Sequence, residues 1–394
     1  MSRPSAVFIL AVFLLPDCRS LASPYYQITR IGFDFAQLNN AGQVSGTVDY
    51  YAGFYERDSN GTYTASWMRS PAVYDPSQGG KVTLLGVTSP SGTDPGHYDW
   101  RGTASGLSDS GQVVGIRGAN GESYSYDSKS GTLSDIPVNY AHISPLGQIV
   151  GTNPVKLPDG TTSSHPVSYQ NGTLTDLGLP PGMVSVNTQA VNSSGQVLVQ
   201  GYDGTRAETL SFLYNKGTWT NLGSMSASLL NSRGDVAGVR YSGDYSSQVA
   251  VYMPHGGSAT IIGTLPGYSV SEPLGMNDRG EIVGNSIGSA TTNVGVQGFL
   301  YSNGLLTNLN DLIDPASGWT IHQGLQINDK GQILALADQL HGGATMLLLT
   351  PSGLDAPPDA VMPELPVPEP STLLVFGGLC AGCLWRFRNR QSNS

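Results

Sequence analysis

Along most of this chain, apolar and polar residues alternate in short runs broken by Gly, Asn, Asp and Pro. Alternation with a period of two marks half-buried strands, and dense turn-formers between the runs point to hairpins. No amphipathic helix of credible length appears between Ser23 and Pro351. Within that stretch one phrase recurs seven times: apolar, Asn or Ser, two variable residues, Gly, then Gln-Val or its like and a further Gly. Its turn glycines are Gly42, Gly111, Gly147, Gly195, Gly234, Gly280 and Gly331, at intervals of 36 to 69 residues. Full copies are Leu38-Asn39-Asn40-Ala41-Gly42-Gln43-Val44 and Met276-Asn277-Asp278-Arg279-Gly280-Glu281-Ile282. Such a phrase reads as a strand end, a turn started by the Asn side chain, a left-handed Gly and a departing alternating strand. The second glycine (Gly46, Gly115, Gly151, Gly238, Gly284) marks a close backbone approach. Val199 and Ala335 take that place in the fourth and seventh copies.

A second phrase follows each first one: a strand, a polar turn and a strand ending in Leu-Gly. Phe212-Leu213-Tyr214-Asn215-Lys216-Gly217 leading to Asn221-Leu222-Gly223 is one example. Two hairpins per repeat make four antiparallel strands, the size of one propeller blade. The expected fold is therefore all-β, a seven-bladed propeller of four-stranded antiparallel blades. The last repeat runs into proline one strand short, and Tyr25-Tyr26-Gln27-Ile28-Thr29-Arg30-Ile31-Gly32 has the form of the missing strand. Closure by this N-terminal strand leaves no long open edge. An open β-solenoid is the competing architecture.

The two chain ends have a different pattern. Arg3, the apolar run Ala6 to Leu15 and Ser20-Leu21-Ala22 have the order of a secretory signal peptide over residues 1–22. The repeat array occupies 23–350, and a proline-rich linker covers 351–366. Next come Val367-Pro368-Glu369-Pro370-Ser371, an apolar stretch over 372–385, and Arg386, Arg388 and Arg390. That stretch is roughly 21 Å long as a helix against a hydrocarbon core of about 30 Å, so it spans only with help from its flanks. The arginines behind it set the C-terminus in the cytoplasm and the array outside.

The order Pro-Glu-Pro, short apolar helix and basic tail over residues 367–390 resembles the PEP-CTERM sorting signal of Gram-negative bacteria. The resemblance implies export, transient anchoring in the inner membrane, and cleavage near Pro368, Glu369 and Pro370 by an exosortase-type enzyme. The alternating pair of repeat phrases resembles the bacterial extracellular HAF repeat, with His165-Pro166-Val167, Ser211-Phe212-Leu213 and Gly298-Phe299-Leu300 in the place of the naming tripeptide. It implies architecture and address, and carries no reaction.

Composition narrows the function further. With 51 Gly, 25 Pro, 39% apolar residues and only 12% charged ones, the chain is turn-dense yet has material for a core. A net charge of −10 excludes nucleic acid, whose phosphates need a basic face. The three cysteines are Cys18, Cys380 and Cys383, so the array has neither thiol nor disulfide.

Candidate chemistry reduces to turns and drift. Gly284-Asn285-Ser286-Ile287-Gly288 fits a nucleophile elbow by letter, but it sits in a hairpin and not at a strand-to-helix turn. Arg233-Gly234-Asp235 occupies a repeat turn, Asp58-Ser59-Asn60-Gly61 is half a calcium loop, and the six histidines lack metal spacing. No cofactor or metal is implied. The aromatics Trp67, Tyr98 and Trp100 fall in the longest interval, whose added length is expected to leave as loops on one face. They are the candidate contacts to a neutral polysaccharide. The reading is an exported, surface- or matrix-associated non-enzymatic protein. The alternative is an extracellular propeller enzyme acting on glycans, which needs carboxylates converging on the axis; Asp and Glu look scattered at no repeated inward position.

Overall fold

A computed structural model describes residues 25–57, 63–85, 103–116, 122–205, 210–242, 247–288, 295–339, 342–356 and 359. It contains strands and short 3-10 turns, and among the described residues no helix is long and apolar enough to cross a membrane. The segments read as signal peptide (1–22), sorting motif and membrane helix (372–385) lie outside the described residues.

Strand β1 (Tyr26–Arg30) comes first and is placed last. Strands β2 (Asp34–Leu38), β3 (Val44–Arg57), β4 (Tyr63–Asp75) and β5 (Lys81–Leu84) form an antiparallel sheet in chain order. The next sheet has seven strands: β6 (Thr103–Leu107), β7 (Gln112–Ile116), β8 (Glu122–Asp127), β9 (Thr132–Ile143), β10 (Ile149–Lys156), β11 (Thr162–Gln170) and β12 (Thr173–Asp176). Four-stranded sheets resume with β13 (Ser185–Val191), β14 (Val197–Tyr202), β15 (Leu210–Asn215) and β16 (Thr218–Gly223). A further one has β17 (Ser226–Leu230), β18 (Val236–Tyr241), β19 (Gln248–Met253) and β20 (Thr260–Gly263). Then follow β21 (Val270–Met276), β22 (Ile282–Ile287), β23 (Val296–Ser302) and β24 (Leu305–Asn308). The last sheet is β25 (Trp319–Ile327), β26 (Ile333–Gln339) and β27 (Thr345–Pro351), with β1 as its fourth strand.

The arrangement is propeller-like and built of four-stranded antiparallel blades, but it has five such blades, not the seven expected. The difference lies in β9. Its first half pairs with β8 (Tyr126 opposite Leu133) and its second half with β10 (Ile143 opposite Ile149). No Leu-Gly break separates those halves, so the ladder runs on and two expected blades become one seven-stranded sheet.

Closure follows the expected strand. Tyr26 pairs with Pro351 and Arg30 with Leu347, which places β1 on the outer edge of the last sheet. Arg30 also lies 5.6 Å over the ring of Trp319, at the start of β25, and its N–H donates to Asp359. Ile31 and Phe33, just beyond β1, are buried against Leu334 and Leu348 of that sheet together with Val44 and Tyr74 of the first. The final sheet is thus bonded to the N-terminus and packed on the first blade.

The core is a string of clusters, most of them between neighbouring sheets and one within the seven-stranded sheet. Val150 packs with Val197, Val199 and Phe212, and Leu198 with Met225, Val236 and Val251. The second strand of each unit therefore has apolar neighbours on both faces. Val197, Leu198 and Val199 are all buried, as are Ile333, Leu334 and Ala335. The alternation expected after the turn glycine is replaced by a continuous apolar run, because this strand lies between two sheets and not over one. The second glycines do mark a close approach: a side chain at Gly284 would collide with the Glu272 carbonyl, and one at Gly238 with that of Ser226. Both sit opposite register shifts in the partner strand.

Part of the longest interval leaves the array as an extension of the hairpin itself, with β3 and β4 paired from Val44–Tyr74 out to Arg57–Tyr63, while 58–62 and 86–102, where loops are expected, lie outside the described residues. Deletion of residues 23–32 should strip β1 from the last sheet and lower the melting temperature of the whole array, since each sheet is buried by its neighbours. Circular dichroism melts of the truncated and intact proteins check this; coincident curves contradict it.

Candidate functional site

The seven repeat turns meet around one axis, and their side chains build its mouth. In each Asn copy the carboxamide does two jobs. Asn277 Oδ1 accepts from Arg279 and Glu281 N–H, closing its own turn, while Nδ2 donates to Glu281 Oε2 and to the Asn328 carbonyl of the next turn at 3.1 Å. The same inter-turn bond runs from Asn39 to Ser108 O (2.8 Å), Asn192 to Asn231 O (2.8 Å) and Asn231 to Asn277 O (3.2 Å). Asn328 donates to Asn39 O (3.0 Å), joining the last turn to the first. A carboxamide offers donor and acceptor on two separate atoms of one short side chain, so both bonds can be made at once. Ser108 and Ser144 keep the local task, accepting from Gln112 and Gln148 N–H.

This geometry explains the rest of the phrase. The residue after the glycine supplies the acceptor for Asn Nδ2: Gln43, Gln196, Asp235, Glu281 and Gln332. All seven turn glycines have positive φ, from 75° to 88°. They are also packed across turns, since a side chain at Gly42 would meet Gln332 and one at Gly195 would meet Gln148.

A second circuit runs through the residue after the Asn. Asp109 Oδ1 accepts from Asn40 N–H (2.9 Å), Asn40 Oδ1 from Asp329 N–H (2.9 Å), Asp329 Oδ1 from Asp278 N–H (2.8 Å) and Asp278 Oδ1 from Ser232 N–H (2.7 Å). These groups rim a cavity of about 130 Å³ with Leu38, Leu107, Leu230, Met276 and Ile327 among its lining. Three carboxylates from three repeats thus converge on the axis, at one repeated position. The expectation of scattered acids is corrected: Asn40, Asp109, Pro145, Ser193, Ser232, Asp278 and Asp329 align only when the turns are superposed. Burial pushes the Asp329 carboxyl above its usual range against a bond from the Asp278 backbone; the Asp278 and Asp109 charges push the same way. Among the described residues no group of His, Cys, Asp or Glu is arranged to hold a metal ion.

A second opening lies between the first two repeats, a cleft of about 520 Å³ lined by Ala41, Gln43, Asp75, Asp109, Tyr126 and Lys129 among others. Burial alone would raise Asp75, yet bonds from Ser77, Gln43 and Gln78 outweigh it and hold the carboxyl below its ordinary value.

The remaining sequence candidates divide cleanly. Trp67 lies on β4 opposite Tyr51, and Tyr98 and Trp100 lie outside the described residues, as do Pro368, Glu369, Pro370, Arg386, Arg388 and Arg390. Ser286 is buried, its Oγ accepting from Leu265 N–H. Asp235 of the Arg-Gly-Asp turn is buried, bonded by Asn231, Arg233 and the His255 backbone. His165 and His322 each pair with one carboxylate, Asp176 at 2.9 Å and Asp338 at 3.0 Å.

Circuits of turns around an axis, with sheets radiating from them, define a propeller-type all-β protein. In fold the chain is similar to an acylaminoacyl peptidase of Pyrococcus horikoshii, with a TM-score of 0.52 and 9% identity over 81% of this chain and 51% of that one. An orthorhombic crystal form of that peptidase gives 0.50 and 10%, over 80% and 50%. A puromycin-hydrolyzing peptidase of Mycobacterium tuberculosis gives 0.47 and 12%, over 86% and 55%. The chain spans about half the length of these structures, and at such identities the likeness is one of fold alone. No family model and no curated protein matches the chain in sequence.

Two predictions follow from the circuits. Asn277→Ser keeps the local acceptor and loses the inter-turn donor, so it should cost about 1–2 kcal/mol in denaturant unfolding. Asn277→Asp should cost more, because a carboxylate then faces Glu281 and the Asn328 carbonyl. Asp329 is the pH-dependent member. Its folded value is raised, so its contribution to stability is fully present below the unfolded carboxylate value and is lost as pH rises through the folded one. Asp329→Asn retains the Oδ1 cap, as Asn40 does, and should melt higher than the wild type at neutral pH. That gain should vanish below the ordinary carboxylate range; melts across pH check it.

Proposed function

We propose that the chain is an exported, surface- or matrix-associated, non-enzymatic propeller of seven repeat units, two of which share the seven-stranded sheet. Its targeting rests on the terminal segments: a signal peptide removed after Ala22, and a tail held in the inner membrane until an exosortase-type enzyme acts near Pro368-Glu369-Pro370. The observation that carries the non-enzymatic reading is the commitment of the axial groups. Asp109, Asp278 and Asp329 each cap a neighbouring backbone N–H, and the asparagine carboxamides are shared between turns. A general acid or base needs a site within hydrogen-bond reach of a substrate proton, and these groups already hold the ring together.

The partner we propose is a neutral polysaccharide. An acidic exterior repels polyanions, whereas the apolar face of a pyranose stacks on an aromatic ring. Trp67 on the extended β3–β4 hairpin, with Tyr98 and Trp100 in the same interval, supplies such rings. The convergence of three carboxylates favours the second reading, a propeller enzyme acting on glycans, and gives it a definite site.

A glycan array probed with the purified protein separates the two. Binding of neutral glycans without turnover, lost in Trp100→Ala at unchanged melting temperature, is the expected result; cleavage abolished by Asp329→Asn establishes the enzyme instead. Sorting is checked by mass spectrometry of the mature protein from its native host. Its C-terminus should fall near Pro370, and one still at Ser394 contradicts the sorting step.

A further inference from the structure

The cleft between the first two repeats occupies a place that other repeats fill with a cation of their own. The third residue of the turn is Arg233, Arg279 and Lys330 in the last three copies. Arg279 bonds Glu281 on its own turn and reaches the Asp329 carbonyl on the next, where it packs on Gly331. Arg233 bonds Asp235 and packs on Gly280 in the same way. Lys330 Nζ reaches the Ala41 carbonyl. In the first copy this residue is Ala41, exposed and too short to reach anything across the junction.

The acidic side of the arrangement is nevertheless retained. Gln43 stands where Glu281 stands, and it is bonded through Nε2 to the carboxylate of Asp75 at 3.0 Å. Asp109 stands where Asp329 stands. Both carboxylates line the 520 Å³ cleft beside Ala41, with the hydroxyl-bearing Ser110 and Ser128. Asp75 is fixed by four bonds, from Ser77 N–H and Oγ, Gln43 and Gln78, and those bonds keep it ionised. Lys129, an exposed side chain at the cleft, is the cation lining it.

We propose that this cleft is a binding site for the guanidinium of an arginine side chain on a partner protein, which supplies in trans what Arg233 and Arg279 supply within the chain. A planar guanidinium directs several N–H donors at once, and the cleft brings it to the negative charge of Asp75 and Asp109 with the hydroxyl-bearing Ser110 and Ser128 around it. The inference is independent of any glycan bound elsewhere.

The test is calorimetric titration of the purified protein with the tripeptide Gly-Arg-Gly, and with Gly-Gly-Gly for comparison. Wild type should bind the arginine peptide about tenfold or more tightly than the glycine one. Ala41→Arg should fill the slot, raise the melting temperature and lose that preference. An arginine peptide bound no better than the glycine peptide overturns the proposal. So does an Ala41→Arg protein that folds and keeps the wild-type affinity.

Discussion

A ring of separate sheets has one structural difficulty: each sheet must be fixed to the next at a definite angle, although neighbouring sheets share no ladder. Here the asparagine carboxamide at the inner turn meets that need. Its oxygen closes the turn that made it, and its nitrogen crosses to the next turn's carbonyl, so local geometry and inter-repeat geometry are set by one planar group. Because these bonds lie among buried atoms, a missing partner leaves a polar group unpaired at a cost of about 1–3 kcal/mol. The closing bond from Asn328 to Asn39 then ties the two ends of a chain that β1 has already zipped together on the outside. Both halves of the closure depend on residues far apart in sequence.

The same constraint shapes the chemistry at the axis. Bringing turns together to share hydrogen bonds brings their second residues together as well, and three of those are aspartates. Each carboxylate accepts from a neighbouring backbone N–H, and Asp329 is shifted toward the protonated form. The rim is therefore polar, acidic and rigid. Where the third residue is long, as in Arg279, the junction between turns is covered; where it is Ala41, a cleft remains. Small substitutions within one short phrase thus decide which junctions are sealed and which are open.

The exceptions within the ring show how the sheets adapt. Ser108 and Ser144 cap their turns without reaching across, and both belong to the seven-stranded sheet. Between the second and third turns the continuous strand β9 supplies through backbone pairing a connection that asparagine makes elsewhere. Covalent and ladder continuity replaces the side-chain link.

What the sequence determined by itself is the content of each repeat: the left-handed glycine, the turn-starting Asn, the two hairpins, and the spare strand at Tyr26–Arg30. These are local matters, decided by backbone conformation, turn chemistry and the period of apolar residues. What only the tertiary structure decided depends on which surfaces meet. The second strands are buried on both faces because sheets flank them, and β9 fuses two units because no turn interrupts it. Asp109, Asp278 and Asp329 become neighbours only when turns from distant repeats come within hydrogen-bond distance. Convergence on an axis is a property of the closed ring, and no single repeat contains it.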